Sequence, residues 1–205
     1  MSVKTALSSL QSYPAELGLD LTRPEGRFRW FLASILFAKR ISAETAKKTY
    51  RRFEEEGLTT PEMILEVGWD CLVEVLDSGG YARYDFSTAT NLLETMKALR
   101  EKYGDLDRLH REAKDSADLE RRLQEFKGIG PTGTNIFLRE LRTVWEKAKP
   151  NPCKMAVDVG QKLDFKDVEP YESSLVRLNL EYCKKMRCRE CPVRNHCKEV
   201  QRKIR

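Results

Sequence analysis

Apolar residues recur along this chain at helical spacing almost everywhere, and nowhere at the alternating spacing of a half-buried strand. Between Glu25 and Ala38, Phe28, Trp30, Phe31, Leu32, Ile35, Leu36 and Phe37 cover nearly the whole circumference of a helix. That predicts a central helix buried on all sides. Ser42 is placed to cap a helix with Glu44 in its first turn, running to about Glu56 and ended by Gly57. Thr59-Thr60-Pro61-Glu62 opens another, because Thr can cap and Pro fits the first turn. The helical pattern continues over Trp69–Leu76 until Ser78-Gly79-Gly80. Ser87 predicts the cap of a helix to Tyr103, with Leu92, Leu93, Met96 and Leu99 on one face. A short helix from Asp115 or Ser116 to Glu125 precedes Phe126-Lys127-Gly128-Ile129-Gly130-Pro131. Ile136, Phe137, Leu141, Val144 and Trp145 then mark a further helix. The proline-bearing stretch around Lys147–Asn151 reads as a loop, and Glu169–Tyr182 as a final helix before a run of cysteines. The fold class is all-α, without an internal repeat.

Composition narrows the class. With 205 residues, 40% hydrophobic and 34% charged, the chain suits a soluble globular protein of one domain or two small lobes. The longest apolar run, Trp30–Ala38, is far short of the roughly 20 residues that span a bilayer. The opening MSVKTALSSLQSYP lacks the apolar stretch of a secretory signal, so a cytoplasmic location and no membrane partner are expected. A net charge of +5 permits a polyanionic partner without requiring one. Its distribution says more. After Cys183 come Lys184, Lys185, Arg187, Arg189, Arg194, Lys198, Arg202, Lys203 and Arg205, against only Glu190 and Glu199. Such a tail is either a solvated end or a phosphate-facing patch.

Two stretches carry candidate chemistry. Gly128-Ile129-Gly130 lies between two helices, with Pro131 at the first position of the second. It reads either as a tight helix–helix turn or as a backbone cradle for an anion. In the second case the N–H groups of Gly130, Thr132 and Gly133 point outward at the positive end of the helix dipole, and Ile129 plugs the hairpin into the core. The cysteines are spaced Cys183-x4-Cys188-x2-Cys191-x5-Cys197. A disulfide pair is not expected in a reducing compartment, and four thiolates so close together suit one metal centre. Zinc also accepts four Cys, although its usual spacing pairs two CxxC knuckles across a longer loop. Three short intervals fit a [4Fe–4S] cube better. Cys71 and Cys153 stand apart in sequence and read as ordinary buried thiols.

The hairpin F-K-G-I-G-P-T-G-T, the downstream Val157-Asp158 and the C-terminal four-Cys loop together resemble the endonuclease III branch of the helix-hairpin-helix–GPD DNA glycosylases. Ile35-Leu36-Phe37-Ala38-Lys39 is similar to that family's early helix and following loop. Gly79-Gly80-Tyr81-Ala82-Arg83, with a long helix ending Glu101-Lys102-Tyr103-Gly104, is similar to the middle of its barrel. The resemblance implies a six-helix barrel lobe over 26–138, with the hairpin at 126–138. Segments 1–25 and 139–205 would form a second lobe, where Cys183, Cys188, Cys191 and Cys197 hold a [4Fe–4S] cluster. Double-stranded DNA with a lesion or mismatch would be the partner, its damaged nucleotide flipped into a cleft between the lobes of a monomer. Asp158 aligns with the catalytic carboxylate, and Lys39 with the residue that fills the gap left by the flipped base. Lys127, Gly128, Ile129, Gly130, Thr132 and Gly133 would grip the DNA backbone, with Arg187 and Arg189 as a second phosphate contact. Tyr81, Tyr84 and Asp85 are expected at the walls of the base pocket.

The chain departs from the family in instructive places. Bifunctional members carry a Lys four residues after the first hairpin Gly, where this chain has Thr132, and a hydroxyl cannot form an imine with the sugar. Val159-Gly160 follows the aspartate where Thr-His is common, the gap from hairpin to Asp158 is longer, and the first cysteine interval is shorter. The expectation is therefore a monofunctional glycosylase, with Asp158 stabilising an oxocarbenium-like state and orienting water. The alternatives are a non-catalytic DNA-binding protein of the same fold, and a glycosylase/lyase using Lys127, Lys154 or Lys162 as a relocated amine.

Overall fold

In a computed structural model describing residues 2–204, and side chains 2–201, the chain is helical, with no strand among the described residues. In chain order the helices are α1 (Val3–Ser8), α2 (Tyr13–Glu16), α3 (Pro24–Phe37), α4 (Ala43–Glu55), α5 (Pro61–Ser78) and α6 (Asp85–Lys102). They continue with α7 (Leu106–Glu112), α8 (Ser116–Gln124), α9 (Pro131–Arg139), α10 (Lys154–Lys162), α11 (Glu172–Leu178) and α12 (Lys198–Ile204). No described helix is long and apolar enough to cross a membrane. The chain forms two compact units, one of residues 17–150 and one of residues 1–16 with 151–205.

In the first unit α3 is the central helix expected from its all-round apolar pattern. Trp30, Phe31, Leu32, Ala33 and Leu36 are essentially inaccessible, and the helix packs on α4, α7 and α9. Phe31 meets Phe126 and Phe137 edge-on at 6.1 and 5.2 Å, and Trp30 Nε1 donates to Phe137 O at 3.2 Å. Each fully buried side chain of this size contributes about 2–3 kcal/mol relative to leaving it in water. Caps set the helix starts. Ser42 accepts from Thr45 N and Thr60 from Met63 N, as their positions predict, while Asp105 and Asp115 cap α7 and α8.

Four elements differ from the sequence reading. The helix marked out by Ile136 to Trp145 ends at Arg139, and residues 140–144 continue as turns closed by Val144 N and Trp145 N donating to Leu141 O at 2.9 and 2.8 Å. Pro61 to Ser78 is one element bent at Gly68, whose φ of 79° leaves the helical region and re-aims everything after it. Helix α6 begins before Ser87. The Ser87 hydroxyl donates back to Tyr84 O at 3.1 Å, while Asp85 accepts from Phe86 N at 2.7 Å and opens the helix. The expected helix over 169–182 is α11 flanked by a 3₁₀ turn at Glu169–Tyr171 and a π turn at Asn179–Cys183.

The edges of the first unit also extend beyond 26–138, because a polar network ties in the flanking segments. Arg27 is nearly buried and grips Asp107 with two bonds, Nε to Oδ1 at 2.7 Å and Nη2 to Oδ2 at 2.6 Å. Its Nη1 donates to Leu21 O at 2.9 Å, holding the segment before α3. Asp107 Oδ1 also accepts from Trp145 Nε1 at 3.1 Å, and Trp145 stacks flat on His110 at 4.7 Å, which holds the segment after α9.

The second unit has its own core of Ala6, Leu7, Ala156, Val159, Leu163, Leu175, Val176, Leu178 and Val193. The N-terminal segment is fastened there by Ser174 Oγ donating to Leu7 O at 2.8 Å and by the Arg177–Glu16 ion pair at 2.7 Å.

Because Asp107 accepts three bonds from two elements, Asp107→Leu leaves Arg27 Nε and Nη2 and the Trp145 indole N–H without acceptors. We expect a loss of about 3–5 kcal/mol in chemical denaturation. Trp145→Phe, which removes one bond and keeps an apolar ring, is expected to cost about 1–2 kcal/mol. Equal losses from the two substitutions would contradict the network's role.

Candidate functional site

The hairpin is built by packing on one side and left open on the other. Phe126 and Ile129 are buried, and Phe126 is wedged between Phe31 and Tyr103. Ile129 N donates to Phe126 O at 3.1 Å, closing the turn, and Thr95 Oγ1 donates to Lys127 O at 3.2 Å, tying it to α6. Gly128 has φ 77°, and a Cβ there would stand 2.4 Å from Asn91 Nδ2. Glycine is therefore required twice over, for backbone conformation and for space.

Gly130 is extended and precedes Pro131 at the first turn of α9, and no side chain caps this helix. Four other helices of the unit, α4, α5, α7 and α8, do have side-chain caps. The first α9 bond runs from Thr134 N to Gly130 O at 3.0 Å, so the Thr132 and Gly133 N–H groups precede the intrahelical ladder. Thr132 is exposed, whereas Gly133 is buried against Ala38 and Ile129. The half-buried Lys39 follows Ala38, so its loop abuts the hairpin. Lys127 is exposed and paired with Glu94 at 3.6 Å. Together these residues present backbone donors, a helix dipole and two ammonium groups, an arrangement suited to a phosphate.

Asp158 lies on α10 in the other unit. It is half-buried, and its carboxylate takes part in no hydrogen bond or ion pair among the described residues. Lys154 and Lys162 stand one turn before and after it on the same helix, neither within ion-pair distance. The residues that follow Asp158 have a packing reason. Val159 is in the core, and Gly160 lies so close to Val168 and Phe165 O that a Cβ would approach them at 2.9 and 3.0 Å. A Val-Gly pair suits this contact better than bulkier polar residues.

Cys183 ends the π turn, and Cys183, Cys191 and Cys197 pack against the core of this unit. Burial pushes the Cys183 thiol above its ordinary value, opposed by Lys162 and reinforced by Cys197 and Cys188. Burial does the same to Cys191, with the Val193 N–H opposing and Cys183, Cys197 and Cys188 reinforcing. A bound cation would reverse the direction of both shifts. Among the described residues no group of three or more His, Cys, Asp or Glu is arranged to hold a metal ion as it stands. The set is four thiols, three of them packed against one apolar surface, and thiolates are the donor type that an iron–sulfur cluster takes.

The basic run is only partly free. Arg187 pairs with Glu190 and Lys185 with Glu181 at 3.8 Å, whereas Lys184 and Arg189 are exposed and make no ion pair among the described residues. The side chains of Arg202 and Lys203, and all of Arg205, lie outside the described residues.

The expected pocket wall needs correction at Tyr81. It is completely buried, its hydroxyl donating to Leu36 O at 2.8 Å, so it belongs to the core of the unit. Tyr84 is half-buried, edge-on to Tyr81 at 6.2 Å and under the Arg83 guanidinium at 5.6 Å. Asp85 is spent on the start of α6. Cys71 and Cys153, expected as buried thiols, are half-buried, and neither forms a disulfide.

The sequence reading missed an exposed stack of Trp69 and Phe86, 5.5 Å apart, with Trp69 Nε1 donating to Thr90 Oγ1 at 3.0 Å. Only the Gly68 bend, invisible in the apolar pattern, aims Trp69 there.

Gly128→Ala is expected to cost about 1–3 kcal/mol in denaturation, combining a left-handed alanine with the clash on Asn91. Adding Asn91→Ala should recover the steric part alone. Wild-type stability in the single variant would refute the tightness of this turn. No protein-family model matches the chain, and no curated protein matches it.

Proposed function

We propose that this chain is a DNA repair glycosylase that flips a damaged or mismatched base from duplex DNA and hydrolyses its N-glycosidic bond without lyase action. The observation that carries this reading is the hairpin, where a glycine turn locked by Ile129 presents the uncapped N-terminus of α9 beside Lys39 and Lys127. Backbone amides at a helix start suit a phosphate of any sequence, so they position DNA without reading it. In this reading the 17–150 unit is the barrel lobe, and the unit of 1–16 with 151–205 is the cluster lobe.

The chemistry then falls to Asp158. As the base departs with the bonding electron pair, positive charge develops at the sugar C1′, and a fixed carboxylate stabilises it. The same carboxylate can orient the water that attacks C1′ and accept its proton. A carboxylate that is half-buried yet engaged with no partner is free to do this. Thr132, exposed at the hairpin, supplies no amine, so the sugar is not captured as an imine there. The same absence motivates a second reading, a DNA-binding protein of this fold without catalysis.

Cys183, Cys188, Cys191 and Cys197 would hold a [4Fe–4S] cluster. Such a cluster would supply a structural or redox-sensing centre with no part in the hydrolysis, and its ligands would brace the loop that carries Lys184 and Arg189.

Labelled duplexes, each with one candidate lesion, separate these readings. Strand breaks are expected only after hot alkali, and the duplex that is cut names the substrate. Asp158→Asn should lower base release about a hundred- to thousandfold while duplex binding persists. Binding with no base release on any duplex would favour the non-catalytic reading, and breaks without alkali would point to Lys127, Lys154 or Lys162.

Purified protein is expected to contain iron and acid-labile sulfide in equal amounts, both lost together with thermal stability in Cys191→Ser. Zinc without sulfide would replace the cluster with a Cys₄ zinc site.

A further inference from the structure

Between Cys183 and Cys188 the chain turns through Lys184-Lys185-Met186-Arg187, and an apolar side chain stands at the apex. Met186 is 71% exposed, the highest value among the exposed large hydrophobic residues. Its backbone lies at φ 54°, in the left-handed region that favours glycine or asparagine. Two main-chain bonds hold it there, Met186 N to Cys183 O at 3.2 Å and Arg187 N to Tyr182 O at 2.9 Å. Methionine is thus disfavoured at this position twice, by its backbone and by its contact with water. Among the large apolar residues whose side chains are described, it alone combines the two.

The surroundings indicate what would cover it. Lys184 and Arg189 are exposed cations without ion-pair partners among the described residues, with the Lys185–Glu181 and Arg187–Glu190 pairs beside them. A single apolar point among cations matches a surface whose anionic rim encloses an apolar interior. The minor groove of a duplex is such a surface, with phosphates along its edges and sugar faces and base steps within. An anionic membrane has the same charge but calls for a broad apolar face, and this loop offers one side chain.

We propose that Met186 is a wedge, entering the minor groove of duplex DNA while Lys184 and Arg189 neutralise flanking phosphates. The inference rests on the DNA reading above and adds an apolar contact that the phosphate contacts do not supply. It also predicts an unusual combination, in which the residue that weakens the fold locally strengthens the complex.

The test is a salt series of fluorescence anisotropy with a short undamaged duplex, alongside thermal melts. Met186→Gly is expected to bind about five- to tenfold more weakly, the partial burial of one such side chain. Its salt slope should be unchanged, since no charge is removed, and its melting point equal to or above wild type. Met186→Leu should bind nearly as wild type, and Lys184→Ala should show a shallower salt slope. Wild-type affinity in Met186→Gly overturns the wedge while leaving the DNA reading intact. A weaker Met186→Gly with a shallower slope also overturns it, because the loop's cations would then have moved. A wild-type chain that fails to bind duplex even at low salt removes the DNA reading and the wedge together. Vesicles of phosphatidylserine bound by wild type but not by Met186→Gly, with duplex binding unaffected, would reassign the apex to a membrane surface.

Discussion

The Arg27–Asp107 pair is the constraint around which the larger unit is organised. A guanidinium withdrawn from water must find oxygen acceptors in fixed directions, and Arg27 finds them on α7 and at Leu21 O. Apolar contacts alone would tolerate α3 sliding or rotating against its neighbours, whereas these bonds do not. Asp107 also receives the Trp145 indole, so the same carboxylate sets the course of the chain beyond α9. The hairpin, carried between α8 and α9, is aligned by what α3 and α7 agree on.

Much of the fold was legible because helix punctuation is local chemistry. The caps at Ser42 and Thr60 and the stop at Gly57 depend on a few adjacent residues, and the structure follows them. The departures occurred where a distant partner or an unusual dihedral decided the outcome. Ser87 resembles a cap in sequence, yet its hydroxyl can donate backwards as easily as accept forwards, and α6 starts earlier, at Asp85, with no side-chain cap. Gly68 bends α5 through a positive φ that no apolar spacing announces. The short helices α1, α2 and α7 contain too few apolar positions to show a period.

The candidate site divides along the same line. The hairpin turn was readable because Gly-x-Gly-Pro dictates backbone shape directly. The four cysteines stand out by spacing alone, and spacing does not say what they hold. The pocket wall was not readable. A tyrosine near Gly79-Gly80 looks the same in sequence whether its ring faces a ligand or, like Tyr81, sends its hydroxyl to the Leu36 carbonyl. The Trp69–Phe86 stack and the exposed Met186 were missed for the converse reason. Isolated apolar residues in charged surroundings carry no pattern, and only exposure and dihedral angles single them out.

The donors at the start of α9 belong to the main chain, and this separates their fate from that of ordinary binding residues. A lysine or arginine contact can be deleted by one base change, but an amide N–H survives every substitution except proline. What Thr132 carries can therefore vary without erasing the donor it stands on. The vulnerable positions are instead the silent ones that shape the turn, Gly128 with its left-handed backbone and Ile129 with its buried side chain. In such a turn, geometry is inherited through residues that act by shape and burial, while residues at the surface are free to drift and to take on new chemistry.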